Sequence, residues 1–440
     1  MNKRGRVSVC LIAISTLMLS TFVLAESSGN YKTIEQTYRE IGQNGFPGFA
    51  GLIEEEGGFN VYVAQSKMGP LTSQSESFKQ QSLKLAGQIL RGRGLDILVP
   101  ESKPVRIVPV DFSYVQLSDW SAKIVRTIGG RYAIGIGTDF RNNRLDLSIR
   151  SDSLTVSRVE EILHELEVPK SAVQFAIFPI NDTKSETRLS AQAVANCNAL
   201  TDSCRPVLPG TEIFNTTNSE TCTVAMFARR NSDAAIGMLT ALHCTTRQNF
   251  NTTNKEYFNQ PRAGTSIGNV QNRAPVNGCA GTPGNTATYC GTSDSAFLVL
   301  STTNYVIGNY ATTPTGALSP VSYNSYYGSV YQPAIGGNVF YVGRTSGKNY
   351  GVVKFYDYVR TFGWTDSSGT TIEFRGMHCA KNTTAGPGDS GAPVWAVVNN
   401  VVQPVGVLNS GGIKDSTNDP IMCWGPGRQI ENDLNVTIIW

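Results

Sequence analysis

The sequence is short of charge, of histidine and of long apolar runs, and each shortage closes off a class of function. Charged residues make up 16% of the 440-residue chain, against about 25% in an average soluble domain. From Thr211 onward there are 14 Lys/Arg against 13 Asp/Glu, so this half is nearly neutral and lacks the basic stripe that nucleic acid requires. The three histidines, His164, His243 and His378, lie far apart, and there is no Cys-x-x-Cys, so no metal site is expected. Past the first 25 residues no stretch approaches the ~18 consecutive apolar residues of a bilayer span, and no membrane contact is expected of the mature chain. Residues 26–190 contain no cysteine at all.

What is present begins with an export signal. Lys3, Arg4 and Arg6 precede the apolar run VSVCLIAISTLMLSTFVLA, which ends on the small-residue site Val23-Leu24-Ala25; residues 1–25 read as a secretory signal peptide, and a secreted, extracellular product is expected. Cys10 leaves with it. Eight cysteines remain, all in the second half: Cys197, Cys204, Cys222, Cys244, Cys279, Cys290, Cys379 and Cys423. An even number in an exported chain points to four disulfides, for which sequence alone permits 105 pairings.

The chain has two halves of different character. Residues 26–190 mix helix-like and strand-like patterns. The strands YAIGIGTDF and RLDLSIR flank the turn Arg141-Asn142-Asn143. A helix follows in SRVEEILHELEVP, with Val159, Ile162, Leu163 and Leu166 on one face, Ser157 and Glu160 at capping-box spacing, and Pro169 as the stop. His164 on this helix reads as a surface or boundary residue rather than a ligand. Residues 191–221 are small, polar and turn-rich, as a linker would be. From Cys222 to Trp440 the chain turns to short β-rich runs such as TVAMFA, AIGMLTA, SAFLVL and PVWAVV, enough for one all-β barrel or sandwich domain.

One stretch of the β half raises a chemical question. KNTTAGPGDSGAPVW places Ser390 inside Gly-Asp-Ser-Gly. A nucleophilic serine needs an imidazole to take its proton, a carboxylate to orient that imidazole and N–H donors for an oxyanion. His243 ends the strand-like run AAIGMLTA and is followed by Cys244, which makes it the better base; His378 beside Cys379 reads as structural. Asp294 stands just before the apolar run Ala296 to Leu300, where it could be directed at the imidazole. Asp389 is adjacent to the serine and is expected to form an ion pair that shapes the turn. No histidine follows Ser390, and Ala392 breaks Gly-x-Ser-x-Gly, so the α/β-hydrolase order is excluded and His243, Asp294, Ser390 remains.

With these residues in place, the half from Cys222 resembles the chymotrypsin-like serine proteases, nearest the secreted bacterial type that includes α-lytic protease and the streptogrisins. The resemblance rests on Cys222-Thr-Val-Ala-Met-Phe, Leu239-Thr-Ala-Leu-His-Cys244, Asp294-Ser-Ala-Phe and Gly386-Pro-Gly-Asp-Ser-Gly391, in that order. It implies an all-β catalytic domain of two six-stranded antiparallel β-barrels over 222–440. It also implies a serine endopeptidase with His243 as base, Asp294 as its orienter and Ser390 as nucleophile. Gly388 and Ser390 would supply the oxyanion donors, and Ser410, Gly411 and Gly412 would bind substrate backbone.

The resemblance further implies the disulfide Cys222–Cys244, with Cys379–Cys423, Cys279–Cys290 and Cys197–Cys204 as the other expected pairs. No cofactor is implied. The partners would be protein or peptide substrates and the chain's own pro-region acting as an intramolecular inhibitor, in an otherwise monomeric protein. Residues 26–190 would be that α+β pro-region, with processing between about 185 and 221.

Several features depart from the family pattern. Cys379 lies 11 residues before Ser390 rather than a few, which reads as an insertion in the pocket wall. Thr384 stands where a trypsin-like specificity would place aspartate, and VGRTSGKNYG lacks the family's cysteine but offers Arg344 as a partner for Asp389. Two other readings fit the same residues: a catalytically silent homologue acting as a secreted binding protein, and an esterase or toxin protease of narrow specificity.

Overall fold

A computed structural model describes residues 34–46, 48–55, 58–68, 80, 84, 104–128, 133–150, 154–178, 201, 207–245, 256–278, 288–301, 310–312, 318–320, 330–363, 371–381, 385–398 and 401–439. The signal peptide, Cys197, Cys204, Cys279 and Thr384 lie outside the described residues. From Lys32 to Trp440 the chain forms one compact unit by its contacts.

Short alternating strands with glycine and asparagine between them close into two rings. In the first, Glu212–Asn215 pairs with the start of the continuous segment 221–230, whose later part pairs with Ile236–Thr240. Ile236–Thr240 then pairs with Ala296–Leu300, which pairs with Thr265–Arg273; that strand pairs with Tyr257–Gln260, which returns to Glu212–Asn215. In the second ring the order is Thr371–Lys381, Pro420–Pro426, Val401–Lys414, Pro393–Val398, Asn338–Gly343 and Gly347–Gly363, with the last pairing back to Thr371–Lys381. Every pairing in both rings is antiparallel. Ring closure satisfies the strand edges internally, which open sheets cannot do. The two six-stranded antiparallel barrels are therefore present.

The first barrel begins ahead of Cys222. Residues 207–215 are buried, and Val207, Ile213 and Phe214 supply apolar side chains there, so the end of the stretch read as linker is barrel wall. At the other end, the helix Gly427–Leu434 carries the chain back from the second barrel to the first, where Val436–Ile439 pairs with Phe227–Arg230.

The N-terminal half has the expected strand, turn, strand and helix. Ala133–Asp139 and Arg144–Arg150 form a hairpin, and the helix Val156–Glu165 follows, with Val159, Ile162 and Leu163 buried and His164 exposed. Its cap is Thr155, whose side chain accepts from Arg158 N, rather than Ser157. The apolar stripe fixes which face packs, but Thr155 and Ser157 can both cap, and Thr155, with extended backbone, does so. Val173–Phe178 adds to Arg144–Arg150 in parallel.

This hairpin does not stand apart from the barrels. Ala133–Asp139 pairs antiparallel with the Phe355–Arg360 part of Gly347–Gly363 and so extends the second barrel's sheet. Gly135 and Gly137 leave room for the ring of Tyr358, which is fully buried: a Cβ at Gly135 would lie 2.2 Å from the ring and one at Gly137 2.5 Å. In a separate cluster Tyr38, Phe140 and Tyr356 pack edge to face and join the two halves through apolar contact. Gly135→Ala is accordingly expected to destabilise the full chain by about 1–3 kcal/mol. Protection from hydrogen exchange should fall first in residues 133–150, and unchanged protection there would contradict the packing described.

Candidate active site

The register of two neighbouring strands brings a histidine and an aspartate together. Thr240 lies opposite Ala296 in the first barrel. Three residues after Thr240 the chain makes the turn Leu242–Cys244, and two residues before Ala296 it passes Asp294. His243 and Asp294 thus project from the same end of adjacent strands. The Cys222–Cys244 disulfide ties the histidine turn to the start of the neighbouring segment.

Asp294 is fully buried and its acceptor sites are well used. Oδ1 accepts from His243 N at 2.9 Å, and Oδ2 accepts from His243 Nδ1 at 2.5 Å and from Asn409 Nδ2 at 2.6 Å. The imidazole is only 20% exposed. With Nδ1–H held by a carboxylate, the ring presents Nε2 as its basic nitrogen. The neighbours Ser293 and Ser295 are also buried and bond to each other, and Ser293 donates to Asp433 of the C-terminal helix at 2.6 Å, which fixes the loop carrying Asp294.

Ser390 arrives from the second barrel, on the turn before Pro393–Val398. Its carbonyl accepts from Thr223 N at 2.9 Å and lies 4.0 Å from Cys244 Sγ, one residue from His243. Its Oγ donates to Asn409 O at 3.4 Å. Asn409 therefore touches both the serine and, through its side chain, the aspartate that holds the histidine. The sequence reading missed this residue. It precedes the Ser410-Gly411-Gly412 run expected to bind substrate, and the register of Val401–Lys414 shifts between Leu408 and Ser410. Such an irregularity turns a side chain that alternation would assign elsewhere, and no residue type announced it.

The turn before the serine is clamped from outside. Gly388 has φ +88° and Gly391 φ +87°, a region open to glycine without penalty. A Cβ at Gly391 would lie 2.3 Å from Thr240 Oγ1, and one at Gly388 would lie 2.4 Å from Arg344 Nε. Asp389 is fully buried and accepts from Thr345 N (2.8 Å), Ser346 N (3.1 Å), Ser346 Oγ (2.6 Å) and Gly386 N (2.8 Å). Burial pushes its pKa up, against these donors.

The ion pair expected between Asp389 and Arg344 is corrected. Arg344 Nη1 pairs instead with Glu212 Oε2 at 2.6 Å, both side chains being largely buried. Backbone amides of the Thr345-Ser346 turn reach Asp389 first, and the arginine behind Gly388 turns to the carboxylate of the first barrel. Thr223 Oγ1 completes the clamp by donating to Gly388 O at 2.8 Å.

The remaining expectations fall as follows. Cys379–Cys423 is a disulfide between directly opposed residues of neighbouring strands. Cys290 is disulfide-bonded, while its expected partner Cys279, like the pair Cys197–Cys204, lies outside the described residues. His378 is buried between Tyr356 and Trp424 in the second barrel, with Gln332 Nε2 3.2 Å from its Nε2. Ser410 is 9% exposed with a buried Oγ that has no hydrogen-bond partner, so its side chain faces inward. Gly411 lies against Ala385, where a Cβ would meet the Ala385 side chain at 2.1 Å, and Gly412 has φ +69°. Gly411 and Gly412 therefore run alongside the segment leading into the serine turn. Asn409→Ala is expected to destabilise the chain by about 1–3 kcal/mol, since it strips a donor from a buried carboxylate; urea denaturation at neutral pH measures it.

No protein-family model matches the chain, and no curated protein matches it. Among solved structures it is similar to Thermobifida fusca protease A, at 18% identity over 53% of this chain and 98% of that one, with a TM-score of 0.35. It is similar also to Nocardiopsis protease, at 20% identity over 53% and 99%, TM-score 0.35, and to an α-lytic protease homologue, at 16% identity over 52% and 98%, TM-score 0.35. At these identities and scores the likeness adds nothing about activity. By its own strand order, two closed six-stranded antiparallel barrels with His243 and Asp294 from one and Ser390 from the other, the chain has the chymotrypsin-like fold.

Proposed function

We propose that the chain is a secreted serine endopeptidase, made with a signal peptide over 1–25, a folding and inhibitory pro-region over 26–190, and a protease half that runs to Trp440 and takes in the barrel wall from Val207. The observation that carries this reading is the buried Asp294 carboxylate. It holds His243 by both its backbone N–H and Nδ1, while Asn409 links that carboxylate to the nucleophile's hydroxyl.

These positions support the following chemistry. Ser390 Oγ attacks the peptide carbonyl carbon as its proton passes to His243 Nε2, and Asp294 stabilises the resulting imidazolium without taking the proton. The carbonyl oxygen becomes an oxyanion, received by the N–H groups of Gly388 and Ser390, whose turn is fixed by Asp389 and Arg344 before substrate arrives. His243 then gives its proton to the departing amine, leaving an acyl group on Ser390. Water, activated by the same imidazole, hydrolyses that ester and restores the hydroxyl. An extended peptide beside Ser410-Gly411-Gly412 would present its carbonyl to the serine by adding as a strand.

The pro-region reading is supported by the Ala133–Asp139 strand on the second barrel's hairpin. In that position the N-terminal half can template the hairpin, whose partners are distant in sequence and slow to find one another.

A fluorophosphonate probe tests the enzyme directly. Processed protein is expected to be labelled on Ser390, and Ser390→Ala or His243→Ala should lose labelling and reduce casein cleavage by roughly 10⁴-fold or more. Absence of labelling, or cleavage unchanged in Ser390→Ala, would overturn the reading.

A further inference from the structure

Where the N-terminal hairpin meets the second barrel, three carboxylates converge on one lysine. Lys354 of the Gly347–Gly363 strand places Nζ 2.7 Å from Asp415 Oδ2, 3.7 Å from Asp139 Oδ2 and 3.9 Å from Asp146 Oδ2. Asp139 and Asp146 belong to the two N-terminal strands; Lys354 and Asp415 belong to the barrel. The lysine is 13% exposed and the carboxylates 7%, 2% and 0%.

The three acids are not equally supported. Asp139 accepts from Arg141 N, Asn142 N and Asn142 Nδ2 within its own turn. Asp415 Oδ1 accepts from Thr417 N, Thr417 Oγ1 and Asp419 N, and its Oδ2 has the closest contact to the lysine. Among the described residues Asp146 accepts hydrogen bonds only from Ser416, through its N–H at 3.1 Å and its hydroxyl, and it stands farthest from the ammonium. The other charged pair nearby, Lys381 with Asp419, satisfies itself. One ammonium cannot neutralise three buried carboxylates, so the least supported of them is the place for a proton.

We propose that this cluster is a proton-coupled docking site, by which the barrel face around Lys354, Asp415 and Ser416 holds the N-terminal half through a protonated Asp146. Its regulatory meaning rests on reading residues 26–190 as an inhibitory segment. Ser148 Oγ donating to Lys414 O at 3.1 Å continues the same seam.

The direction is fixed by linkage. Burial, mainly, raises the docked Asp146 carboxyl from 3.8 to about 6, with Asp415 adding to the rise and Ser416 and Lys354 opposing it. When the hairpin leaves the barrel, the carboxyl returns to water and to its ordinary range. The docked state thus binds the proton more tightly. The stability this gives to docking is full below the ordinary carboxylate range and is lost as pH rises through about 6. Acid tightens the hold, and neutrality loosens it.

Hydrogen exchange on the full-length Ser390→Ala chain tests this without requiring catalysis. Corrected for intrinsic rates, the opening equilibrium of amides in 133–150 is expected to fall about tenfold between pH 7 and pH 5. Amides of Ile236–Thr240 in the first barrel serve as the internal reference. Asp146→Asn should abolish the pH dependence of 133–150, and Ser416→Ala, which keeps all three carboxyls, should move its midpoint upward. A tenfold fall retained in Asp146→Asn, or a midpoint unmoved in Ser416→Ala, overturns the proposal; the second variant decides alone if the first does not fold. A flat profile ends the latch and leaves the protease reading standing, whereas absent Ser390 labelling ends the protease reading and leaves the latch.

Discussion

One buried carboxylate, Asp294, sets the arrangement of everything around the candidate site. Three donors converge on it, two from His243 and one from Asn409, so a single anionic side chain joins the histidine turn of the first barrel to a strand of the second. A charge taken out of water is tolerable only when hydrogen bonds replace its hydration. Once Asp294 is buried, therefore, His243 and Asn409 have little freedom: each must keep its donor on the carboxylate. The position of Ser390 follows from the same constraint, because its hydroxyl meets the carbonyl of the very residue whose side chain is committed to Asp294.

The serine turn shows a complementary strategy, in which backbone amides do the holding. Asp389 draws three N–H groups and a hydroxyl inward, and Arg344 fills the side of Gly388 where any side chain would collide. Arg344 is in turn held by Glu212, so a strand of the first barrel stiffens a turn of the second. Burial holds the Glu212 carboxyl above its ordinary range, against the opposing pull of the arginine beside it. The two barrels thus meet in at least three polar ties near the serine: Asn409 to Asp294, Arg344 to Glu212, and Thr223 to Gly388 and Ser390. Each would leave a buried group unpaired if the barrels moved apart, which favours a fixed site over a mobile one.

Much of this was legible in the sequence, for identifiable reasons. His243, Asp294 and Ser390 each sit at a strand end marked by a short apolar run, and chain order alone removed a competing fold. The Cys222–Cys244 and Cys379–Cys423 pairs also emerged as expected. What stayed hidden depends on contacts between distant segments. Asn409 reaches Asp294 through a local shift in strand register, to which a pattern of residue types is blind. The partner of Arg344 was misassigned because two carboxylates compete for it and only the folded chain shows that amides had already taken one. The expected linker is too long because Ile213 and Phe214 form only a two-residue apolar run within a stretch that is mostly small and polar, although the strand Glu212–Asn215 is buried.

The join between the halves is the least legible feature, and on the pro-region reading proposed above it accounts for how a strongly held segment is released. The 17-residue strand Gly347–Gly363 gives one edge first to Asn338–Gly343 and then, from Phe355 onward, to Ala133–Asp139. Losing the N-terminal half would uncover that edge and the Tyr358 ring beneath Gly135 and Gly137. Sheet pairing and ring packing respond little to pH, so they set a constant affinity. The Lys354 cluster lies on the same seam but holds an odd number of acids against a single base, so its contribution varies with proton activity. A seam built from both kinds of contact can be stable enough to guide folding and, without any change in its apolar part, weaken by a modest factor when the surroundings become less acid.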